Sequence, residues 1–224
     1  MDVGHLKLGE FNYMMIDAKC KQCRREKEKL FLKGDRCFTP KCAMIKKPYA
    51  PGMHGKKFKR AGSEYGVQLR EKQKVKRTYG IAERQFRKYY ETASRRKGVI
   101  GEAILFAIEK RLDNVIYRMG LAKSRGLARQ IVSHGHVLVE RNGKKRKVDI
   151  PSFVVKVGDK IYLKESSLPK GIFKDLATTI KNYEFPSWLK FDGETFVGEV
   201  LNEPTMNDVN INANMQLIVE LYAR

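Results

Sequence analysis

The sequence predicts an α+β fold, in which a mostly helical part is joined to a compact α/β unit and preceded by an N-terminal cysteine-bearing extension. Three observations predict it. Apolar residues recur with helical spacing between Ser63 and Met119. Short β-branched runs alternate with turn signals between His136 and Lys164. All four cysteines fall in one basic stretch, CKQCRREKEKLFLKGDRCFTPKC, residues 20–42. With 224 residues, 42% of them hydrophobic, the chain can bury a core and form one or two domains with extensions.

The formal net charge is +21 and the pI is 9.9. Self-repulsion of that size opposes compaction and points to a polyanionic partner, nucleic acid first. Residues 19–98 hold 26 Lys or Arg against 7 Asp or Glu, a net of +19, whereas residues 184–224 hold 2 against 7, a net of −5. One surface is expected to meet phosphate while the C-terminal part faces something else. MDVGHLKLGEFNYMMIDAK lacks a basic segment followed by an apolar one, and no run approaches eighteen apolar residues. The expectation is therefore no secretory signal, no membrane span and an intracellular setting in which thiols stay reduced.

Cys20, Cys23, Cys37 and Cys42 have the spacing C-x2-C-x13-C-x4-C. A C-x2-C pair places two thiolates on one tight turn, and a second pair after a loop closes a tetrahedron around a metal. With four protein ligands no position stays open for water, so one zinc ion bound there would be structural. Disulfides, which need an oxidising compartment, and free thiols are the alternatives. A tetrathiolate zinc is anionic, and Lys21, Arg24, Arg25, Lys33, Arg36 and Lys41 would offset it while still facing outward. Metal binding would supply folding free energy to a stretch too hydrophilic to fold on apolar burial, and would hold its cations in one array.

Residues 46–62, KKPYAPGMHGKKFKRAG, carry two prolines, three glycines and six basic residues, the composition of an extended, irregular loop. Lys46, Lys47, Lys56, Lys57, Lys59 and Arg60 can lie there along a phosphate backbone. His54 either joins them or is an incidental polar loop residue. Ser63 is placed to cap a helix that runs to about Tyr79 and stops at Gly80, carrying Arg70, Lys72, Lys74, Lys76 and Arg77. A second helix, residues 81–97, puts Phe86, Tyr90 and Ala93 on one stripe, read as core in preference to an RNA-stacking surface. Arg84, Arg87, Lys88 and Arg95 lie elsewhere on it. Between Val99 and Met119 the helical period breaks near Asp113, and Gly120 closes it.

Ser124 begins a short helix whose Leu127, Ile131 and Val132 point inward while Arg125 and Arg129 share an outer face. HVLVE, Val148–Ile150, FVVKV and KIYLK read as short strands around the turn signals at 142–143 and 158–159, so that residues 99–168 form one α+β unit. A helix over about 171–182, acidic Asn-rich loops and a strand-like LIVELY complete the chain. The sequence holds no Walker loop, G-x-G-x-x-G, H-E-x-x-H or G-x-S-x-G, so it offers no catalytic reading.

Four segments in order carry a family resemblance. RLDNVIYRMGLAKSRGLARQIVSHGHVLV resembles the S-four RNA-binding module. REKQKVKRTYGIAERQFRKYYETASRRKG resembles the helical domain of bacterial small-subunit ribosomal protein four, CKQCRREKEKLFLKGDRCFTPKC its zinc-bearing N-terminus, and LIVELYAR its C-terminal signature. The resemblance implies an α+β protein with an S-four-type domain inserted into a mostly helical one. Residues 1–48 would be an extension with a zinc knuckle, 49–98 and 182–224 the discontinuous helical domain, and 99–181 the S-four domain. It implies a structural, non-catalytic constituent of the cytoplasmic small ribosomal subunit that binds 16S ribosomal RNA early in assembly.

Within the module-like run, Arg111, Asn114, Arg118, Ser124, Arg125, Arg129, His134 and His136 become candidate RNA contacts. Lys56, Lys57, Lys59 and Arg60 match a loop that lies near messenger RNA where it enters the subunit. The C-terminal part of the family touches small-subunit protein five and influences decoding accuracy, and no membrane or small-molecule substrate is implied. Where the family has a short turn, this chain carries the longer VERNGKKRKVDIPS, and INANMQLIVELYAR is likewise expanded. An RNA-modifying enzyme such as a pseudouridine synthase would need a further catalytic domain. A zinc-dependent DNA-binding regulator would need a recognition helix and a dimerising element.

Overall fold

A computed structural model describes residues 18–57, 62–167, 169, 173, 180, 183–193, 195–209 and 211–224. Residues 1–17, Lys59 and Arg60, and the helix expected over 171–182 lie outside the described residues, apart from Phe173 and Ile180, both buried.

The extension begins with α1 (Lys19–Glu26), so Cys20 and Cys23 sit one helical turn apart and not on the tight turn expected. A 3-10 turn (Gly34–Cys37) and α2 (Ala43–Lys46) bring the other two cysteines back beside it. In α3 (Glu64–Tyr79) the Ser63 hydroxyl accepts the Gly66 amide at 3.2 Å, and Gly80, left-handed at φ 63°, ends the helix with its amide on the Arg77 and Lys76 carbonyls. Both caps lie where the sequence put them.

The helices α4 (Glu83–Ser94) and α5 (Ile100–Glu109) pack on each other and share one apolar core with α3. The last apolar run, expected as a strand, is instead α8 (Met215–Ala223). The Asn214 side chain accepts the Gln216 and Leu217 amides and so starts it. Ile218 and Tyr222, four residues apart, then face one way, with the Tyr222 ring 4.8 Å from Tyr90 and 6.0 Å from Phe86. A short apolar run does not reveal its period until a cap and a partner surface choose it. Gly101 permits the close approach of α5 and α8, since a Cβ there would lie 2.8 Å from the Met215 Cβ. Val75, Phe86, Ile104, Leu105, Ile108 and Ile218 form this helical core.

The second unit holds α6 (Leu112–Arg118), α7 (Arg125–Ser133) and an antiparallel sheet in the order β2-β1-β3-β5-β4. Its strands are β1 (Val137–Arg141), β2 (Lys144–Lys147), β3 (Lys160–Leu163), β4 (Leu189–Asp192) and β5 (Val197–Val200). The Ser124 hydroxyl caps α7, as expected, by accepting the Leu127 amide. Three strand assignments differ from the sequence reading. Asn142 and Gly143 both have positive φ, 53° and 73°, a two-residue turn that pairs Arg141 with Lys144 and makes KKRK the partner strand. Val148–Ile150 and FVVKV are consequently left off the ladder, with Val154 forming only an isolated bridge to Arg111. The region read as acidic loops contributes β4 and β5, which add to β3 and bury Trp188, Leu189, Phe191 and Val200 in the sheet's core. Packing thus crosses the expected boundaries at 99 and 182. Ile104, Leu105 and Ile108 lie with the helical core and residues 188–200 with the sheet. Among the described residues no helix is long and apolar enough to cross a membrane.

The helical period breaks at Lys110 and Arg111, before Asp113, because the chain turns there between the two cores. Two buried carboxylates hold that turn. Glu109 accepts from Tyr79 Oη at 2.5 Å, Asn114 Nδ2 at 2.5 Å, and Arg118 at 2.7 and 3.0 Å. Asp113 accepts from Arg111 at 2.7 and 3.0 Å and from Arg129 at 2.7 and 3.0 Å, while Arg129 also donates to the Gly80 carbonyl at 2.6 Å. Burial alone would raise the Glu109 carboxyl, but Arg118, Arg125 and the Tyr79 hydroxyl together hold it below its ordinary value of 4.5.

Replacing Glu109 by Gln leaves the Arg118 guanidinium buried beside a neutral partner. It is expected to cost about 3 kcal/mol in denaturant titrations, against less than about 0.5 kcal/mol for Glu91→Gln, whose pair with Arg87 is exposed. Because the folded carboxyl titrates below its unfolded value, its contribution is present above pH 4.5 and lost as pH falls through the folded pKa. In the wild type stability is therefore expected to decline on acidification below that point, and the Gln variant should show a shallower decline.

Candidate nucleic-acid interface

The cations predicted to meet phosphate fall into two groups. The first is consumed inside the fold. Arg70 and Arg77 both contact the buried Glu26 carboxylate. Lys74 reaches Glu28 at 3.0 Å and Glu71 at 2.9 Å, and Lys72 and Lys76 reach Glu83 at 2.8 and 2.6 Å. Burial works against the Glu83 charge, but the two ammonium groups and the Tyr222 hydroxyl outweigh it and lower its pKa to about 2. These pairs tie α3 to the extension and to α4, and Glu83 also accepts from the Tyr222 hydroxyl of α8.

Arg111, Arg118 and Arg129 are likewise held at the turn between the cores. Arg125 donates to Asn114 Oδ1 at 2.8 Å and lies between the rings of Tyr79 and Tyr117, 4.6 and 4.4 Å from their centres. The expectation that Arg125 and Arg129 share an outer face is therefore corrected, since both turn toward the seam between α3 and α6. Asn114 is buried there, and Ser124 serves as a cap. His136 is buried with its Nδ1 2.9 Å from Ser167 Oγ. Arg24 donates to the Tyr49 carbonyl at 2.9 Å and to the Ala50 carbonyl at 3.3 Å, stapling the basic loop to α1.

The second group is exposed. Arg25, Lys33, Arg36, Lys46, Lys47, Lys56 and Lys57 display their charge on the extension and loop, with His54 exposed among them. Arg84, Arg87 and Lys88 do so on α4, and His134 is exposed at the end of α7. Among the described residues Arg87 pairs with Glu91 at 3.3 Å, and Lys56 lies 5.2 Å over the Tyr49 ring. Sequence reasoning missed one set. Lys144, Lys145, Arg146 and Lys147, all exposed, form the whole of edge strand β2. Four successive cations after a two-residue turn were the available signal. They extend the positive surface onto the α/β unit, and as edge-strand charges they also oppose strand pairing with another chain.

The four cysteines form no disulfide with one another and line one small cavity between α1 and α2. The Lys33 amide donates to Cys37 Sγ at 3.4 Å. Burial pushes the Cys23 thiol up, and its three cysteine neighbours push it further, an arrangement that a cation among the sulfurs would reverse. Among the described residues no group of three or more Cys, His, Asp or Glu is already assembled to hold a metal. The donor chemistry is nonetheless suited to zinc, four sulfur ligands around one cavity, from a helix, a turn and the cap of a second helix.

Residues 15–109 match the Ribosomal protein S4/S9 N-terminal domain family, and residues 110–161 match the S4 domain family. The chain is 52% identical over 209 residues to the small ribosomal subunit protein uS4 of Caldicellulosiruptor saccharolyticus, covering 93% of this chain and 98% of the relative. It is 51% identical to the uS4 protein of Ruminiclostridium cellulolyticum, covering 93% and 98%, and 52% identical to that of Clostridioides difficile, covering 92% and 97%. With half its residues identical across nearly the full length of these relatives, the chain belongs to the small-subunit ribosomal protein uS4 family.

Proposed function

We propose that the protein is a structural constituent of the cytoplasmic small ribosomal subunit that binds 16S ribosomal RNA directly and fixes its fold early in assembly. One observation carries the reading. After the in-chain ion pairs are formed, exposed cations remain on four separate elements: the extension, the loop after it, α4 and β2. Such a surface suits a folded RNA, whose phosphates give affinity and whose shape gives specificity. The role has no catalytic step.

Three finer readings belong to this proposal. Lys56, Lys57, Lys59 and Arg60 meet messenger RNA where it enters the subunit. The acidic C-terminal part meets small-subunit protein five and bears on decoding accuracy. One structural zinc is held by Cys20, Cys23, Cys37 and Cys42, and fixes the array of cations around it. The two apolar cores support a division into an extension, a discontinuous helical domain and an inserted S4 domain, with residues 100–109 assigned to the helical part and 188–200 to the inserted one.

Binding to a 16S ribosomal RNA fragment is expected to weaken steeply with salt, and Lys46→Gln with Lys47→Gln to lower the log–log slope by about two without changing the melting temperature. A slope that the double variant leaves unchanged would remove that loop from the interface. Metal analysis of freshly purified, reduced protein is expected to give one zinc per chain, lost in Cys37→Ser. Metal-free wild-type protein would overturn the zinc reading alone.

A further inference from the structure

Phe31 and Phe38 stack on one another at the surface of the extension, ring centres 5.1 Å apart and planes 29° apart, with Phe38 75% exposed. Exposing two phenyl rings together forgoes burial that most chains would use. The backbone is arranged to permit it. Phe31 has φ 49°, a left-handed conformation that is an outlier for a bulky residue and persists only where the surroundings impose it. In the chain between the two phenylalanines, Gly34 is buried against the segment leading into α7, where a Cβ would lie 2.4 Å from the Lys123 carbonyl oxygen, and Asp35 pairs with Lys123 at 3.0 Å. The aromatic pair is thus mounted on a loop pinned to the S4 domain, and is not a frayed surface segment.

From this geometry we infer that Phe38, backed by Phe31, is a stacking platform for one unpaired base of the bound RNA. The inference rests on the RNA-binding reading above. The charge around the rings selects the partner class. Lys33, Arg36 and Lys41 are exposed in the same segment, and its one carboxylate, Asp35, is turned to Lys123. An apolar protein surface would have to leave those cations facing it unmatched, whereas a nucleotide supplies both a π face for the ring and a phosphate for its neighbours. With Phe31 covering one side, Phe38 offers its other face to a single base.

The test uses full-length protein and a 16S ribosomal RNA fragment, comparing wild type with Phe38→Leu, Phe38→Trp and Phe31→Leu. Stacking predicts a loss of about tenfold or more for Phe38→Leu, with an unchanged salt slope because no phosphate contact is removed. Phe38→Trp should retain wild-type affinity, and the emission it adds to that of the buried Trp188 should be quenched on RNA addition. Equal affinity for Phe38→Leu and wild type, or a Phe38→Trp variant that binds with its added emission unquenched, overturns the platform while leaving the RNA-binding reading intact. Phe31→Leu checks the backing role, with a smaller loss expected. Wild-type protein that does not bind the RNA removes both readings.

Discussion

Two carboxylates buried at one bend, Glu109 and Asp113, organise the molecule. Both are shut away from bulk solvent, so each must gather cations and hydroxyls from whatever lies nearby. Glu109 draws in Tyr79 from α3 and Arg118 from α6, while Asp113 draws in Arg129 from α7, which reaches on to the carbonyl of Gly80. The end of α3, the bend and the first helices of the S4 domain are thereby fixed to one another by one network of buried ion pairs and hydrogen bonds. The apolar cores on either side supply most of the burial. The carboxylates determine how those cores are disposed.

The same logic divides the protein's large positive charge. A cation near a buried or half-buried carboxylate becomes part of the scaffold, as Arg70, Arg77 and Lys74 do when they bind α3 to the extension. A cation without such a neighbour remains available to phosphate. Charge density along the chain does not separate the two groups, because the equally basic extension and α3 differ in pairing: Arg25, Lys33 and Arg36 are exposed, whereas the five cations of α3 all meet carboxylates. The exposed positive surface is consequently smaller than the sequence total implies, and it extends onto β2.

Much of the architecture was legible from local rules. Ser63, Gly80 and Ser124 act at the ends of α3 and α7 because a hydroxyl acceptor or a residue tolerant of positive φ satisfies backbone groups with no long-range help. Misreadings arose where the decision was not local. Lys144–Lys147 became a strand because a two-residue turn imposed its register, against the preference of the β-branched residues that follow. Residues 215–223 became a helix because Tyr222 had Tyr90 and Phe86 to pack against.

By itself the sequence determined the class of fold, the clustering of the four thiols, the polyanionic character of the partner and the family resemblance, since each of these is a matter of composition, spacing or short motif. Tertiary structure alone decided which cations are free, which face Arg125 and Arg129 present, where β4 and β5 dock and how an aromatic pair comes to stand exposed. Those outcomes depend on carboxylates and rings brought together from distant parts of the chain, and distance through space is the quantity that a linear pattern does not contain.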